Sequence, residues 1–439
     1  MPFVSPLRLL SASLMLSCAC LPAQQTDRKP MVIVISLDAF AAKSLEDPNL
    51  PAPTLHKLMQ TGSYAAAMQP INPTVTWPNH TAMVTGVNAS KHHVLVNGLI
   101  RGQRGTDDPT IQFEAPKSVL VAVPTVYDVV HQAGMTTAEV DWVAITKPGT
   151  IDWAFTERAD PSPIVDDLLN DGAVTKDGLA HFFKPSQAWR DRIYTLAAVD
   201  ILKKHHPNLT LIHLLALDGI EHKTGYGNDA GRNTIAFLDD RVKDIVDAVR
   251  EAGDLDRTTF LIVSDHGQES THFVMHPNAL LRDSESKPGG QTYAIPEGGY
   301  ALLYQQHATP ASTAALAKLF QGQTGVRAVL TPEQAAKDGW PTPAQTPQAP
   351  DLLLYATDDY KFGDGDQLPF VTPALESGAH GYVNTVPLMQ AIFIASGRGV
   401  KATGKIPAIP NIDVAPTIAQ LLGVQMNNID GVVPPNILR

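Results

Sequence analysis

Hydrophobic side chains recur along this chain in two alternating rhythms. Met31-Val32-Ile33-Val34-Ile35-Ser36-Leu37 is a near-continuous apolar run, the pattern of a strand covered on both faces. Comparable runs stand at residues 209–217, 258–263, 352–355 and 391–395. Helical patterns lie between them at 126–132, 192–204 and 233–252. In the last, Ile235, Leu238, Val242, Ile245, Val246 and Val249 share one face. Alternating strand and helix predicts an α/β fold, a doubly wound, mostly parallel sheet flanked by helices. Residues 270–370 break the rhythm, with Lys287-Pro288-Gly289-Gly290 and prolines at 341, 343, 347 and 350. They are expected to form a smaller α+β insertion within one domain spanning 24–439.

The first 23 residues follow neither rhythm. Arg8 precedes an apolar stretch holding Leu9, Leu10, Leu14, Met15 and Leu16, and Leu21-Pro22-Ala23 offers a small residue for cleavage. A membrane span needs about 20 apolar residues, so residues 1–23 read as a secretory signal peptide and the product as secreted or periplasmic. Both cysteines, Cys18 and Cys20, lie in this leader. A lipid anchor through either is the lesser alternative, because neither follows a good lipobox. The remainder has no cysteine to form a disulfide and no second run long enough to span a bilayer.

Composition narrows the function by exclusion. The 439 residues are 44% hydrophobic, enough for a large core without disulfide staples, and disorder, collagen and coiled coil do not fit. Lys and Arg number 33 against 44 Asp and Glu, a net charge of −11. That argues against a nucleic-acid duplex as partner, since such binding rests on clustered positive charge. A small anion held by a local metal centre remains compatible. The oligomeric state is not set by the sequence.

In open α/β sheets ligands bind beyond the carboxyl ends of the strands. Polar residues gather there. The first strand runs into Asp38, the run from 209 into Asp218 with His222 four residues later, and the next into Ser264-Asp265-His266-Gly267. Gly378-Ala379-His380-Gly381-Tyr382 precedes the last strand. Pro73-Thr74-Val75-Thr76-Trp77-Pro78-Asn79-His80 opens a helical stretch, with Pro78 suited to its first turn and Thr76 near an N-terminus that favours anions. Each piece alone suits a helix cap, a surface pair or an ordinary loop histidine. Their joint position at strand ends is what points to a site.

Taken together, Asp38, Thr76-Trp77-Pro78-Asn79-His80, Asp218…His222, Asp265-His266-Gly267 and Gly378…His380-Gly381-Tyr382 resemble the nucleotide pyrophosphatase/phosphodiesterases of the alkaline phosphatase superfamily. Order and spacing match over about residues 30–425. The resemblance implies two zinc ions: one held by Asp218, His222 and His380, the other by Asp38, Asp265 and His266 and faced by Thr76. It implies that Thr76 attacks phosphorus, that the phospho-threonine is then hydrolysed, and that Asn79 donates to a phosphoryl oxygen. Trp77 stands where relatives carry Phe, facing the leaving or nucleoside group. The residue chemistry agrees, since zinc takes imidazole and carboxylate ligands and two such ions suit in-line displacement.

The expected activity is therefore hydrolysis of phosphodiester or pyrophosphate bonds in a small phosphorylated, nucleotide-like substrate. The alternatives are a monoesterase or phosphonate hydrolase on the same scaffold and, remotely, an inactive binding protein. A sulfatase would need a modified Cys or Ser, and a cofactor-independent phosphoglycerate mutase would lack the leader. Related monoesterases carry a Lys-x-Arg pair where this chain has Lys147-Pro148-Gly149, which favours diesters. His80 is expected to support its loop. His272 and His276 are weak candidates for the cleft, while His213 and seven other histidines are expected to be structural. Trp142 or Trp153 could form a second wall of a base slot.

Overall fold

The computed structural model describes residues 1–3, 28–283 and 290–439, so the leader reading lies largely outside the described residues. The main sheet has eight strands. In chain order they are β1 (Met31–Leu37), β2 (Ser63–Ala65), β3 (Thr137–Val140), β4 (Trp153–Phe155), β5 (Leu209–Leu214), β6 (Thr258–Val263), β7 (Phe393–Gly397) and β8 (Gly404–Ile406). Across the sheet they run β8-β2-β7-β6-β1-β5-β3-β4. Every neighbouring pair is parallel except those made by β7.

The unbroken apolar run of β1 follows from its central place between β5 and β6. Successive side chains alternate between faces. Ile33, Ile35 and Leu37 enter one core layer, Val32 and Val34 the other. The first layer is closed by α1 (Pro53–Thr61), α4 (Gln187–His205) and α6 (Asp229–Glu251), the second by α2 (Thr76–Thr85), α3 (Val126–Gln132) and α7 (Val414–Leu422). α6 offers Ile235, Leu238, Val242, Ile245, Val246 and Val249, the face expected from the sequence. This is the doubly wound, mostly parallel α/β sheet.

Two sequence expectations need adjustment. The run 209–217 is not one strand: β5 stops at Leu214 and α5 (Ala216–Thr224) begins, its first turn held by Asp191, which accepts the Leu215 and Ala216 N–H groups at 2.8 Å each. Asp218 therefore lies in a helix rather than at a strand end. The run 352–355 is buried on both faces, but not in the parallel sheet. Leu352–Ala356 belongs to an antiparallel sheet ordered Thr292–Glu297, Tyr300–Gln305, Leu352–Ala356, Val326–Leu330. It reads as doubly buried because Leu353 and Tyr355 pack with Trp340, while Leu352 and Leu354 pack with Phe320.

The chain between β6 and β7 carries this second sheet and the strand Glu269–Met275, which pairs with Gly378–Ala379. That pairing returns the chain to the end of β6, with His380 next in sequence.

Candidate active site

Adjacent strands of the main sheet deliver the polar residues to one place. β1, β5 and β6 lie side by side and parallel, so the segments after them emerge at the same edge. Phe40 N–H donates to Ser264 Oγ at 2.9 Å, and that hydroxyl donates to the His266 carbonyl at 2.8 Å, tying the turns after β1 and β6 together. α5 brings Asp218 and His222 on one face, one helical turn apart.

The side chains converge closely. His266 Nε2 lies 3.1 Å from Asp265 Oδ2, 3.6 Å from Asp38 Oδ1 and 3.4 Å from Thr76 Oγ1. Asp218 Oδ1 is 3.1 Å from His222 Nε2 and 3.8 Å from His380 Nε2. The His266 and His380 rings stack at 4.0 Å, and those of His222 and His380 meet edge to face at 5.0 Å. Asp38, Asp265 and His266 thus present ligand atoms within 4.8 Å of one another, and so do Asp218, His266 and His380. The first trio is the one expected from the sequence. In the second, His266 stands where His222 was expected, and His222 joins through Asp218. A third trio, Asp167, Asp200 and His205, lies between other helices, where Lys204 Nζ already pairs with Asp200 and Asp167 at 2.7 and 3.1 Å.

The fit to metal ions can be tested on hydrogen bonding. Asp38 Oδ1, Asp218 Oδ1 and Asp265 Oδ2 are buried and have no hydrogen-bond partner among the described residues. The second oxygen of two of these carboxylates is held: His213 Nε2 lies 3.1 Å from Asp38 Oδ2, and Ala39 N–H donates to Asp265 Oδ1 at 3.3 Å. Buried carboxylate oxygens without donors are costly, and here the imidazoles approach them without hydrogen-bond geometry. Oxygens and ring nitrogens aimed at common points suit cations with N/O preference, and zinc fits that donor set. Electrostatics agree. Burial, with Asp265 and Asp218 nearby, pushes the Asp38 carboxyl well above its usual range. Burial alone would raise Asp265 too, but the imidazoles of His266, His80 and His213 bring it down to about 2. Burial, with His266 and His222 beside it, lowers His380 well below an ordinary imidazole. Bound cations would reverse this strain, because a metal is the largest local charge in such a site.

Thr76 opens α2, whose ten residues are all buried. The expected role of Asn79 is not met. It is 0% exposed, and its amide is fully used inside the loop: Oδ1 accepts from Ile71 N–H and Asn411 Nδ2 at 2.8 Å each, and Nδ2 donates to the Pro73 and Val75 carbonyls at 2.8 and 2.9 Å. At the fourth position of α2 its side chain turns back under the loop, with both amide N–H groups on loop carbonyls. The residue missed from the sequence is Asn97. Its Oδ1 accepts the Trp77 N–H at 2.9 Å, which fixes the carboxamide beside the residue that follows Thr76, and its Nδ2 has no partner among the described residues. That bond also occupies one of the helix N–H groups expected to hold an anion. The signal available was an Asn among the apolar residues 94–100, too weak to single out.

Trp77 is 7% exposed and packs with Val94, Leu99, Leu120, Val121 and Val143, so most of its ring serves the core rather than an open platform. His80 does support the loop, with Nδ1 2.9 Å from the Thr76 carbonyl. Trp142 is buried against His80, and Trp153 stacks on His205. His272 pairs with Asp359, and His276 bonds the Asp364 carbonyl and Thr372, so both are engaged within the strands after β6. Lys147 is exposed.

The fold and site define an α/β protein with two acidic-histidine clusters suited to cations and a buried threonine beside one of them. Residues 32–383 match the family described as Type I phosphodiesterase / nucleotide pyrophosphatase, and the chain belongs to that family. It is similar to ectonucleotide pyrophosphatase/phosphodiesterase family member 3 of Rattus norvegicus, 22% identical over 406 residues, which cover 90% of this chain and 42% of that protein. The chain therefore spans about two fifths of that relative's length. Family member 7 of Rattus norvegicus is 22% identical over 449 residues, 96% of this chain and 90% of the relative. Among solved structures, human ectonucleotide pyrophosphatase/phosphodiesterase 5 superposes with a TM-score of 0.72 at 16% identity, over 92% of this chain and 97% of that one. The murine protein of that name, solved in an inactive form in complex with AMP, has a TM-score of 0.72 at 15% identity over the same shares.

Proposed function

We propose that this chain is a two-zinc hydrolase of phosphodiester or pyrophosphate bonds in small nucleotide-like substrates, working through a phospho-threonine on Thr76. The observation that carries the reading is the set of three donor-free buried carboxylate oxygens, on Asp38, Asp218 and Asp265, gathered with His222, His266 and His380, with Thr76 Oγ1 3.4 Å from His266. When bound, zinc would supply charge that favours the threonine alkoxide and steadies the phosphoryl oxygens. Asp38, Asp265 and His266 would hold the ion that Thr76 faces, and Asp218, His222 and His380 the other, with His266 close to both.

The chain's own residues then do the following. Thr76 Oγ attacks phosphorus, forming an O–P bond as the bond to the leaving alcohol or phosphate breaks. Its backbone carbonyl is tied to His80, which limits movement of the nucleophile during attack. Asn97, not Asn79, offers its amide N–H to the phosphoryl oxygen that gains charge, a contribution of the kind made by oxyanion donors. Water then hydrolyses the phospho-threonine and returns Thr76. Residues 24–439 would act as one catalytic unit, with about 270–370 as its insertion, following a cleaved leader of residues 1–23. The nucleotide-like substrate is supported by the family match and by the AMP complex of a structural neighbour. The test is metal analysis joined to turnover: chelation should abolish hydrolysis of a nucleotide p-nitrophenyl diester, and zinc should restore it. Active protein holding fewer than one divalent ion per chain would overturn the reading.

A further inference from the structure

His213 belongs to β5 and was expected to be structural, yet its Nε2 lies within hydrogen-bond distance of Asp38. The ring is fully buried between two acidic residues. Nε2 lies 3.1 Å from Asp38 Oδ2, and Nδ1 lies 3.2 Å from the Asp141 carbonyl and 3.5 Å from Asp141 Oδ2. The His80 ring packs against it at 4.2 Å, and Trp142 covers His80 in turn. Nothing in this arrangement leaves the imidazole room to swing.

A carboxylate only accepts hydrogen bonds, so it is the Nε2–H tautomer that donates to Asp38, while the Asp141 carbonyl competes for the same proton at Nδ1. With Oδ2 committed to His213, Oδ1 is the oxygen left donor-free and turned toward His266, 3.6 Å away. We propose that His213 is the positioning residue that orients Asp38 as a metal ligand, holding one oxygen so that the other faces the ion shared with Asp265 and His266. This rests on the two-metal reading above. It differs from the usual arrangement, in which an outer carboxylate orients a ligating histidine. Here the ligand is the carboxylate and the orienting group is the histidine. Asp265 needs no such partner, because backbone Ala39 N–H holds its Oδ1.

The test compares two amides of different reach by calorimetric titration of the metal-free protein with zinc. In His213→Gln the amide nitrogen falls near the place of Nε2 and can still donate to Asp38. In His213→Asn it falls near Nδ1, reaching Asp141 but not Asp38. Wild type should bind two ions. His213→Gln should keep both affinities within a few-fold, whereas His213→Asn and His213→Leu should lose roughly 10–100-fold at one site only, the usual cost of removing an outer-sphere partner. Turnover of His213→Asn should recover at high zinc, with kcat restored more than KM is changed. Equal zinc affinities for the Gln and Asn variants would overturn the proposal. If only the Gln variant folds, its retention of both sites supports the proposal and loss of one overturns it. Wild type that binds no zinc would instead sink the two-metal reading itself.

Discussion

Two asparagines separate support from chemistry at this site, and their alanine variants should fail in opposite ways. Asn79 makes four hydrogen bonds in a fully buried position. At about 1 kcal/mol net per bond, Asn79→Ala should cost about 4 kcal/mol, with more if the Ile71 N–H stays unpaired. For a chain of this length, unfolding entropy of about 2.1 cal/mol/K per residue converts that into a melting temperature lower by about 5 °C. Asn97 has one bond, to the Trp77 N–H, and is only partly buried, so Asn97→Ala should lower the melting temperature by about 1 °C. Its effect should fall on turnover instead. Loss of a single oxyanion donor costs about 10²–10³ in kcat. The assay pairs thermal unfolding at fixed zinc with steady-state hydrolysis of a nucleotide p-nitrophenyl diester. Wild-type stability with lost turnover in Asn79→Ala, beside normal turnover in Asn97→Ala, would refute this assignment and return the donor role to Asn79.

Further tests address the nucleophile, pH and substrate. Thr76→Ala should lower kcat at least about 10³-fold with both ions retained, and Thr76→Ser should keep part of the rate, having lost only the methyl that restrains the rotamer; a near-normal Ala variant would mean direct attack by water. Asp254 is buried and bonded by Arg28, Arg257 and His206. Burial would raise its carboxyl, but Arg257 and His206 hold it below the usual range. Its contribution is therefore complete above the unfolded value near pH 4 and lost as pH falls through the lower folded value. Asp254→Asn should cost about 2–3 kcal/mol in urea unfolding at pH 7 and less at acid pH, and an equal cost at both would contradict this. With Lys147 exposed and no Arg two positions on, kcat/KM should favour a nucleotide p-nitrophenyl diester over p-nitrophenyl phosphate; the reverse order would make the chain a monoesterase and Lys147→Ala the next variant.

What could be read from the sequence was whatever a local pattern records. β1 and β6 were legible because strands covered on both faces leave unbroken apolar runs, and α6 because one face is apolar. The short strands β2, β3, β4 and β8 have three or four residues each, too few to establish a period. Asp38, Asp265 and His266 stood out because polar residues directly follow apolar strands. Asn79 drew attention by standing three residues after Thr76, but its carboxamide is taken up by Ile71, Pro73, Val75 and Asn411, contacts that no local pattern records. Asn97 and His213 reach the site from 21 residues after Thr76 and from within a strand, and only the tertiary arrangement brings them there. A buried histidine in a strand has no local mark that distinguishes a satisfied core residue from one that bonds a ligand.

The position of His380 carries the argument one step further. Asp38, Asp218, Asp265 and His266 all come from segments that follow three adjacent strands of one sheet, so folding of that sheet brings them together. His380 arrives more than a hundred residues after His266, beyond the antiparallel sheet and its helices. It is held by pairing of Gly378–Ala379 with Glu269–Ser270 and by contacts of its own loop, with its Nδ1 3.2 Å from the Thr74 carbonyl and Gly381 N–H donating to the same oxygen at 3.0 Å. Gly378 has no space for a side chain, since a Cβ there would meet the Glu221 carbonyl of α5 at 2.0 Å. The loop bearing His380 is thereby pressed against both the helix that carries His222 and the segment that carries Thr76. On the two-metal reading, the ion between Asp218 and His380 would link the main sheet to the far end of the insertion. Binding free energy at that site would then be folding free energy for the insertion as well.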